Sequence, residues 1–262
     1  MFENTPDPGL AEQVLLGGLL GDGYLYQRKI YSKNPRTTIY PFYRAHHGLA
    51  QRDYCKWKAD AMGFHFYECR TGCYLTSPQT DEMMDLWSRW YPEGEKVLCV
   101  EDLKKLDVRA LLIWFLDDAH CAIRSIHSSY VEIYTGSFNE EENDALIHWL
   151  GELDILGEPR YREKRSHQTK GQWSIKVRTE HTDKLLKLLM PVYQDVKIPS
   201  CTDYKLCHVH PANRERIGEK VRLKIARRKE LRPAGDPLQQ AIWREEYRRK
   251  KNNKLLTLPV TS

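Results

Sequence analysis

The 262-residue chain is 41% hydrophobic and 29% charged, long enough for one large core or two small ones and too apolar to remain unfolded. Its formal charge is +5, yet residues 212–262 carry 15 basic and 6 acidic side chains, which leaves 26 basic and 30 acidic for residues 1–211. A body that binds a polyanion must therefore gather its cations on one surface, unless the basic tail supplies the attraction; the plainer reading of the tail is a pair of solvated helices.

No uncharged apolar stretch approaches the roughly 18–20 residues that span a bilayer, which excludes a transmembrane protein. The acidic start MFENTPDPGLAEQ fits neither a secretory signal nor an Arg-rich transit peptide, so an intracellular setting, cytoplasm-like or organellar, is expected. Seven scattered cysteines, at 55, 69, 73, 99, 121, 201 and 207, predict reduced thiols rather than a disulfide framework.

In chain order, residues 14–21 predict a short buried helix closed by Gly21-Asp22-Gly23. Residues 24–32 and 38–47, rich in Tyr, Ile and Phe around Asn34-Pro35, predict a β-hairpin. A helix over 51–62 stops at Gly63, and a second hairpin, 64–69 with 73–77, turns at Thr71-Gly72. Ser77 followed by Pro78 predicts the start of a helix whose apolar stripe is Met83, Met84, Leu86, Trp87 and Trp90.

The same order then returns. Residues 108–116 form a second apolar helix ending in Asp117-Asp118, and 122–126 with 130–135 form a hairpin across His127-Ser128-Ser129. Ser137 with Glu140 has capping-box spacing before a helix with Ala145, Leu146, Trp149 and Leu150. Strands at 159–165 and 172–179 and a helix at 182–189 complete the repeat. Both halves read αββαββα, with Asp118 lying 96 residues after Asp22, so the expected class is α+β with halves at 1–105 and 106–211 and a basic, mainly helical extension at 212–262.

Strand alternation sorts the sheet faces. Trp173, Ile175 and Val177 alternate with Gln172, Ser174, Lys176 and Arg178, giving one core face and one polar, basic face. Arg160, Arg162 and Lys164 share a face in the preceding strand; Tyr26 with Arg28, and Arg44 with His46, give weaker versions in the first half. The recurrence predicts a basic saddle.

An acid at a helix C-terminus meets the negative end of the helix dipole and is mildly unfavourable there. Asp22 and Asp118 both take that position at matching points of the repeat. If the two apolar helices pack side by side, with Gly17, Gly18 and Gly21 permitting close approach, the carboxylates converge; helix glycines otherwise cost about 1 kcal/mol each relative to alanine. A pair of hard oxygen ligands suits Mg²⁺ in contact with phosphate, and such a site can activate water for phosphodiester hydrolysis.

The segment Leu15-Leu16-Gly17-Gly18-Leu19-Leu20-Gly21-Asp22-Gly23 resembles the LAGLIDADG motif, and Leu111-Leu112-Ile113-Trp114-Phe115-Leu116-Asp117-Asp118-Ala119 resembles its second copy in single-chain homing endonucleases. The resemblance covers residues 10–209. It implies two pseudo-symmetric αββαββα halves whose sheets form a saddle-shaped, DNA-binding surface. It also implies metal binding by Asp22 and Asp118, with Gly21 and Asp117 beside them, and electrostatic catalytic roles for Lys96 and Lys205, expected to stabilise an anionic transition state or to perturb a nearby water. Ala119 departs from the usual glycine and Leu20 from an acid; neither removes a proposed ligand. Some relatives carry a polar, water-positioning side chain near the end of the first hairpin, where this chain offers Gly48 and Gly136.

The implied activity is a monomeric, Mg²⁺-dependent, site-specific endonuclease acting on a long double-stranded DNA site, with Mn²⁺ or Ca²⁺ able to substitute in binding. The expected DNA contacts are Arg28, Arg44, His46, Arg70, Arg124, Arg160, Arg162, Lys164, Lys176 and Arg178. An RNA maturase, or a DNA-binding protein that does not cut, is the alternative on the same scaffold. A zinc site from Cys201, Cys207, His208 and His210, with Cys69 and Cys73, lacks a recognisable four-ligand spacing; buried thiols and loop histidines are the expectation there.

Overall fold

The computed structural model describes residues 2, 5–27, 40–125, 128–163 and 171–230. The chain divides into two compact units, Met1–Arg214 and Glu215–Ser262. In the first, helix α1 (Pro8–Leu20) starts upstream of its apolar run, because Asp7 accepts the Leu10 backbone N–H and Pro8 takes the first helical position. After it come β1 (Gly23–Tyr26), β2 (Phe42–His47), α2 (Arg52–Met62), β3 (His65–Cys69), β4 (Gly72–Thr76), α3 (Asp81–Trp90) and the short α4 (Val100–Leu103). The second round is α5 (Val108–Asp118), β5 (Ala119–Ser125), β6 (Ser128–Tyr134), α6 (Glu140–Glu152), β7 (Gly157–Arg162), β8 (Gln172–Val177) and α7 (Thr179–Asp195). Helix α8 spans Pro211–Glu230.

The class is α+β, with two four-stranded antiparallel sheets of identical order, β1-β2-β4-β3 and β5-β6-β8-β7. Register confirms the repeat. Gly23, the residue after Asp22, pairs with Ala45, and Ala119, the residue after Asp118, pairs with Ile133. Counting on from those pairs makes His47 the counterpart of Thr135, and Gly48 that of Gly136.

Helices α1 and α5 are apolar on every side and accordingly buried almost throughout. They touch at small residues. A Cβ at Gly17 would lie 2.5 Å from the Ala110 carbonyl oxygen, and one at Gly21 would lie 2.5 Å from Asp117 Cβ. The buried Gln13 adds a polar tie, its side chain donating to the Lys105 carbonyl at 3.0 Å and accepting from the Asp107 N–H at 2.9 Å.

Several local expectations give way. Helix α3 begins at Asp81, capped by Thr80, rather than at Pro78. Ser77 instead accepts the Tyr43 N–H at 2.9 Å and donates to the Pro78 carbonyl at 2.8 Å, binding the strand end to β2. The capping box before α6 is Asn139 with Glu142, not Ser137 with Glu140. Helix α7 continues past Pro191 because Leu185, Leu186, Leu189 and Tyr193 hold one buried face across it. Helix α4 was not foreseen; its buried Asp102 gathers the Trp90 indole N–H, Arg89 and Lys105. The expected turn at Asn34-Pro35, residues 126–127 and residues 231–262 of the tail lie outside the described residues.

The cysteine expectation also needs correction. Cys121 on β5 and Cys207 form a disulfide with their Cα atoms 6.6 Å apart, while Cys55, Cys69, Cys73, Cys99 and Cys201 are free. A separation of 86 residues hides such a pairing from any local pattern.

Candidate active site

Each motif acid sits where a central helix hands over to the first strand of its sheet. Gly21 closes α1 with its N–H on the Gly17 and Gly18 carbonyls, and Asp22 follows. Asp118 is the last residue of α5, with Ala119 already in extended backbone, so that position makes no demand for glycine. Gly23 differs because a Cβ there would collide with Tyr43 Oη. This explains the unequal motif ends.

Burial, then the charge of Asp117, pushes the Asp22 carboxyl up to about 6, against the pull of Lys58, Lys205 and Lys96. Burial, then Asp22 and Asp117, pushes Asp118 up to about 7, against Lys96 and Lys205. Three acids therefore feel one another at the helix ends. Asp22 keeps 37% of its side-chain surface exposed, so a ligand can reach it.

Both lysines expected from the motif resemblance come to this place. Lys96 Nζ donates to the Gly23 carbonyl at 3.1 Å and lies 5.6 Å from the Phe138 ring centre; burial lowers its pKa to about 8, against the acids Asp118, Asp22 and Asp117. Lys205, in a 3-10 segment Ser200–Leu206, donates to the Asp117 carbonyl at 3.0 Å, and burial lowers its pKa too. Each lysine thus contacts the backbone at the end of the motif in its own half.

Asp117 turns away from solvent. Its carboxylate accepts from Lys58 Nζ at 2.8 Å and Tyr54 Oη at 3.0 Å, both on α2, and the side chains of Lys58 and Asp117 are wholly buried. The wholly buried His47, on β2, brings Nδ1 to 3.6 Å from Asp22 Oδ2. Burial, then Lys58, lowers the His47 pKa to about 4, so the ring is neutral at pH 7. Among those residues, Asp22, His47 and Asp117 form the one group of potential metal ligands, their ligand atoms lying within 4.8 Å of one another. Asp118 stands outside that trio.

The sequence pattern does not single out Lys58, Tyr54 or Tyr43, and Gly48 directly follows the buried His47. One signal was available for Lys58: it shares an apolar helix stripe with Tyr54, Cys55, Ala59 and Met62, where a lysine needs a buried partner.

The expected contact residues separate by environment. Arg44 and His46 lie on the outward face of the first sheet among aromatic rings, and Arg70 is exposed at the β3–β4 turn. Arg160 and Lys176 lie on the second sheet, whereas Arg162 is paired with Glu132 at 2.6 Å and Arg178 with Glu158 at 3.2 Å. Arg28 and Lys164 lie outside the described residues, as does the Arg124 side chain. Three of the residues considered for zinc have other partners: Cys207 is in the disulfide, His208 contacts Ser129 and Asp183, and His210 faces Asp203 at 3.3 Å; Cys69, Cys73 and Cys201 are free.

Comparison with known proteins agrees with this architecture. The family model described as the LAGLIDADG DNA endonuclease family matches residues 12–185. RecA of Mycolicibacterium flavescens is 34% identical over 118 residues, covering 43% of this chain and 26% of that protein; RecA of Mycolicibacterium fallax is 28% identical over 192 residues, covering 68% and 43%. The chain therefore spans less than half the length of these curated relatives. Among solved structures, the homing endonuclease I-WcaI bound to its DNA recognition sequence shares the fold with a TM-score of 0.57 at 16% identity, over 78% of this chain and 88% of that one. No helix of the described residues is long and apolar enough to cross a membrane. The match over residues 12–185, carried by two motif helices and two equivalent sheets, makes this chain a member of the LAGLIDADG DNA endonuclease family.

Proposed function

We propose that the chain is a site-specific double-strand DNA endonuclease of the homing type, acting as a monomer and hydrolysing one phosphodiester bond in each strand with a divalent cation, Mg²⁺ in the first instance. The observation that carries this reading is the electrostatics of the helix ends. Burial and the charge of Asp117 hold Asp22 at about 6, and burial with the charges of Asp22 and Asp117 holds Asp118 at about 7, while Lys96 and Lys205 reach the adjoining backbone. A protein that only bound DNA would gain nothing from such repulsion; a cation placed between the acids relieves it.

The donor set fits a hard divalent ion. Asp22 and Asp118 would hold it, with oxygens of Gly21 and Asp117 beside them, and Mn²⁺ or Ca²⁺ would satisfy the same ligands in binding. When bound, the ion supplies positive charge that polarises a phosphate and acidifies water. Lys96 and Lys205 add fixed charge where the phosphate becomes more anionic in the transition state. Neutral His47, its Nδ1 facing Asp22, orients water by hydrogen bonding rather than by taking its proton, since a group of pKa about 4 is a weak base at pH 7.

In this reading residues 1–105 and 106–211 each read one half of an extended duplex. The basic residues of 212–262 would add affinity that is independent of sequence. The test is a cleavage assay on sites selected from a randomised duplex library, with Asp22→Asn and Asp118→Asn beside the parent chain. Cleavage is expected to vanish in both variants while duplex binding stays within a few-fold. Cutting by both variants would overturn the assignment.

A further inference from the structure

The outward faces of the two sheets carry different chemistry. On the second, the buried Glu132 accepts from Tyr130 Oη, Ser174 Oγ and Arg162, and Arg178 pairs with Glu158; its one strongly exposed ring among the described residues, Tyr134, has Arg162 5.9 Å from its centre, so the face is mainly charge-paired. The first is aromatic. Tyr24, His46, Tyr74 and Tyr67, from β1, β2, β4 and β3, form a continuous row with centroid separations of 6.3, 5.2 and 5.1 Å and interplanar angles of 11°, 24° and 17°. Beside it Tyr26 meets Phe42 edge-on at 5.4 Å. Tyr26 and Tyr67 are each 44% exposed.

Charge and position indicate what covers this face. The Arg44 guanidinium lies 5.0 Å from the Tyr74 ring centre and 5.2 Å from that of Phe42, and no carboxylate among the described residues pairs with it. A cation set among aromatic rings, with no carboxylate partner among the described residues, suits an anionic partner with apolar groups. The row is also continuous with the acid site, since β1 begins at Gly23, directly after Asp22. The rings are too close together to take up unstacked bases: a base between two rings needs about twice the 3.5–4 Å contact distance of carbon atoms. Side chains on a sheet face stand roughly perpendicular to it, so parallel rings turn their edges outward. Edges meet the floor of a major groove, where the one strongly apolar group is the thymine C5-methyl.

We propose that the first sheet recognises thymine methyl groups, so that the half-site it covers is thymine-rich, while the second sheet reads its half-site by hydrogen bonding. This rests on the duplex-cutting reading above and assigns its specificity. Sites selected from a randomised library by the parent chain and by the Tyr26→Ala and Tyr67→Ala variants identify the half read by the first sheet, as the half whose preference changes. Replacing thymidine by deoxyuridine in that half removes only the methyl. Affinity is expected to fall about fourfold per contacted methyl, from ~0.8 kcal/mol per buried methylene and 1.4 kcal/mol per decade. The loss should disappear in the variants, and the same replacement in the other half should cost less than twofold.

Selection and cleavage without methyl dependence, or with equal dependence in both halves, would overturn this inference alone. Failure to select any duplex would overturn the nuclease reading and this one with it. Thymidine-rich single strands bound as tightly as duplex would instead identify a stacking platform and overturn it.

Discussion

Lys58 Nζ lies 2.8 Å from Asp117 Oδ2 with neither side chain exposed, so a helix of the first half neutralises an acid carried by the second motif. Asp117 occupies the motif position that Gly21 takes in the first copy, and the two residues are in contact across the helix pair. A charged group at so close a crossing is tolerable only with a charged partner. Breaking such a pair leaves one buried ion without compensation, at a cost of about 3–5 kcal/mol, whereas replacing both partners by apolar groups is often close to neutral. Lys58→Met should therefore destabilise strongly, and adding Asp117→Ala should recover most of the loss. Urea unfolding of the four chains of this double-mutant cycle gives the coupling; a value near zero would show that the pair is inert.

The raised carboxyls set a pH dependence with a definite sign. Asp118 at about 7 and Asp22 at about 6 both lie above the ordinary aspartate value of 3.8, so their protonated forms favour the fold. That contribution is complete below about pH 4 and is lost as pH rises through 6 and 7. Without divalent ions, Asp118→Asn should raise the melting temperature at pH 8, by about 2–4 °C for each kcal/mol of repulsion relieved, and should do little at pH 5. Mg²⁺ should stabilise the parent chain more at pH 8 than at pH 5, because protons compete for the same oxygens. Thermal scans in chelator and in Mg²⁺ check both points; equal gains at the two pH values would contradict the shifts.

The contact of Gly17 with Ala110 controls how closely the motif helices approach. A Cβ at position 17 would press on the Ala110 backbone, which unlike a side chain cannot rotate away. Gly17→Ala should cost about 1–3 kcal/mol through overpacking, despite alanine's better helix propensity. Because the strain separates helices that end at the acids, cleavage should fall further than the folded fraction does. Parallel measurements of unfolding and cleavage at a temperature where the variant is fully folded test this, and unchanged activity would show that the spacing has slack.

The Cys121–Cys207 bridge fastens β5 to the segment just after Lys205. Closing a loop of this length is typically worth about 2–4 kcal/mol. Cys207→Ser, or reduction of the parent chain, should lower stability by that order and reduce cleavage through a less firmly held Lys205. Thiol labelling of the denatured, unreduced chain should modify five cysteines; labelling of all seven would show that the bridge does not form.

What could be read along the chain was whatever depends on neighbours in sequence. Wholly apolar runs ending in Asp22 and Asp118, the alternation of Trp173, Ile175 and Val177, and turn residues at regular spacing identified two copies of αββαββα and the acids between helix and strand. Helix starts were less legible, since Ser77 and Ser137 are as good caps as Thr80 and Asn139 until packing chooses between them. Beyond the motif acids and the two lysines implied by the motif resemblance, the site came only from tertiary structure. His47 beside Asp22, Lys58 against Asp117, Cys121 joined to Cys207 and the aromatic row of the first sheet all join residues far apart in the chain or on different strands. Local pattern reports which face of an element is buried. The partner met on that face is decided by how elements pack and by sheet register, where a slip of a single residue would exchange the aromatic face for the core face.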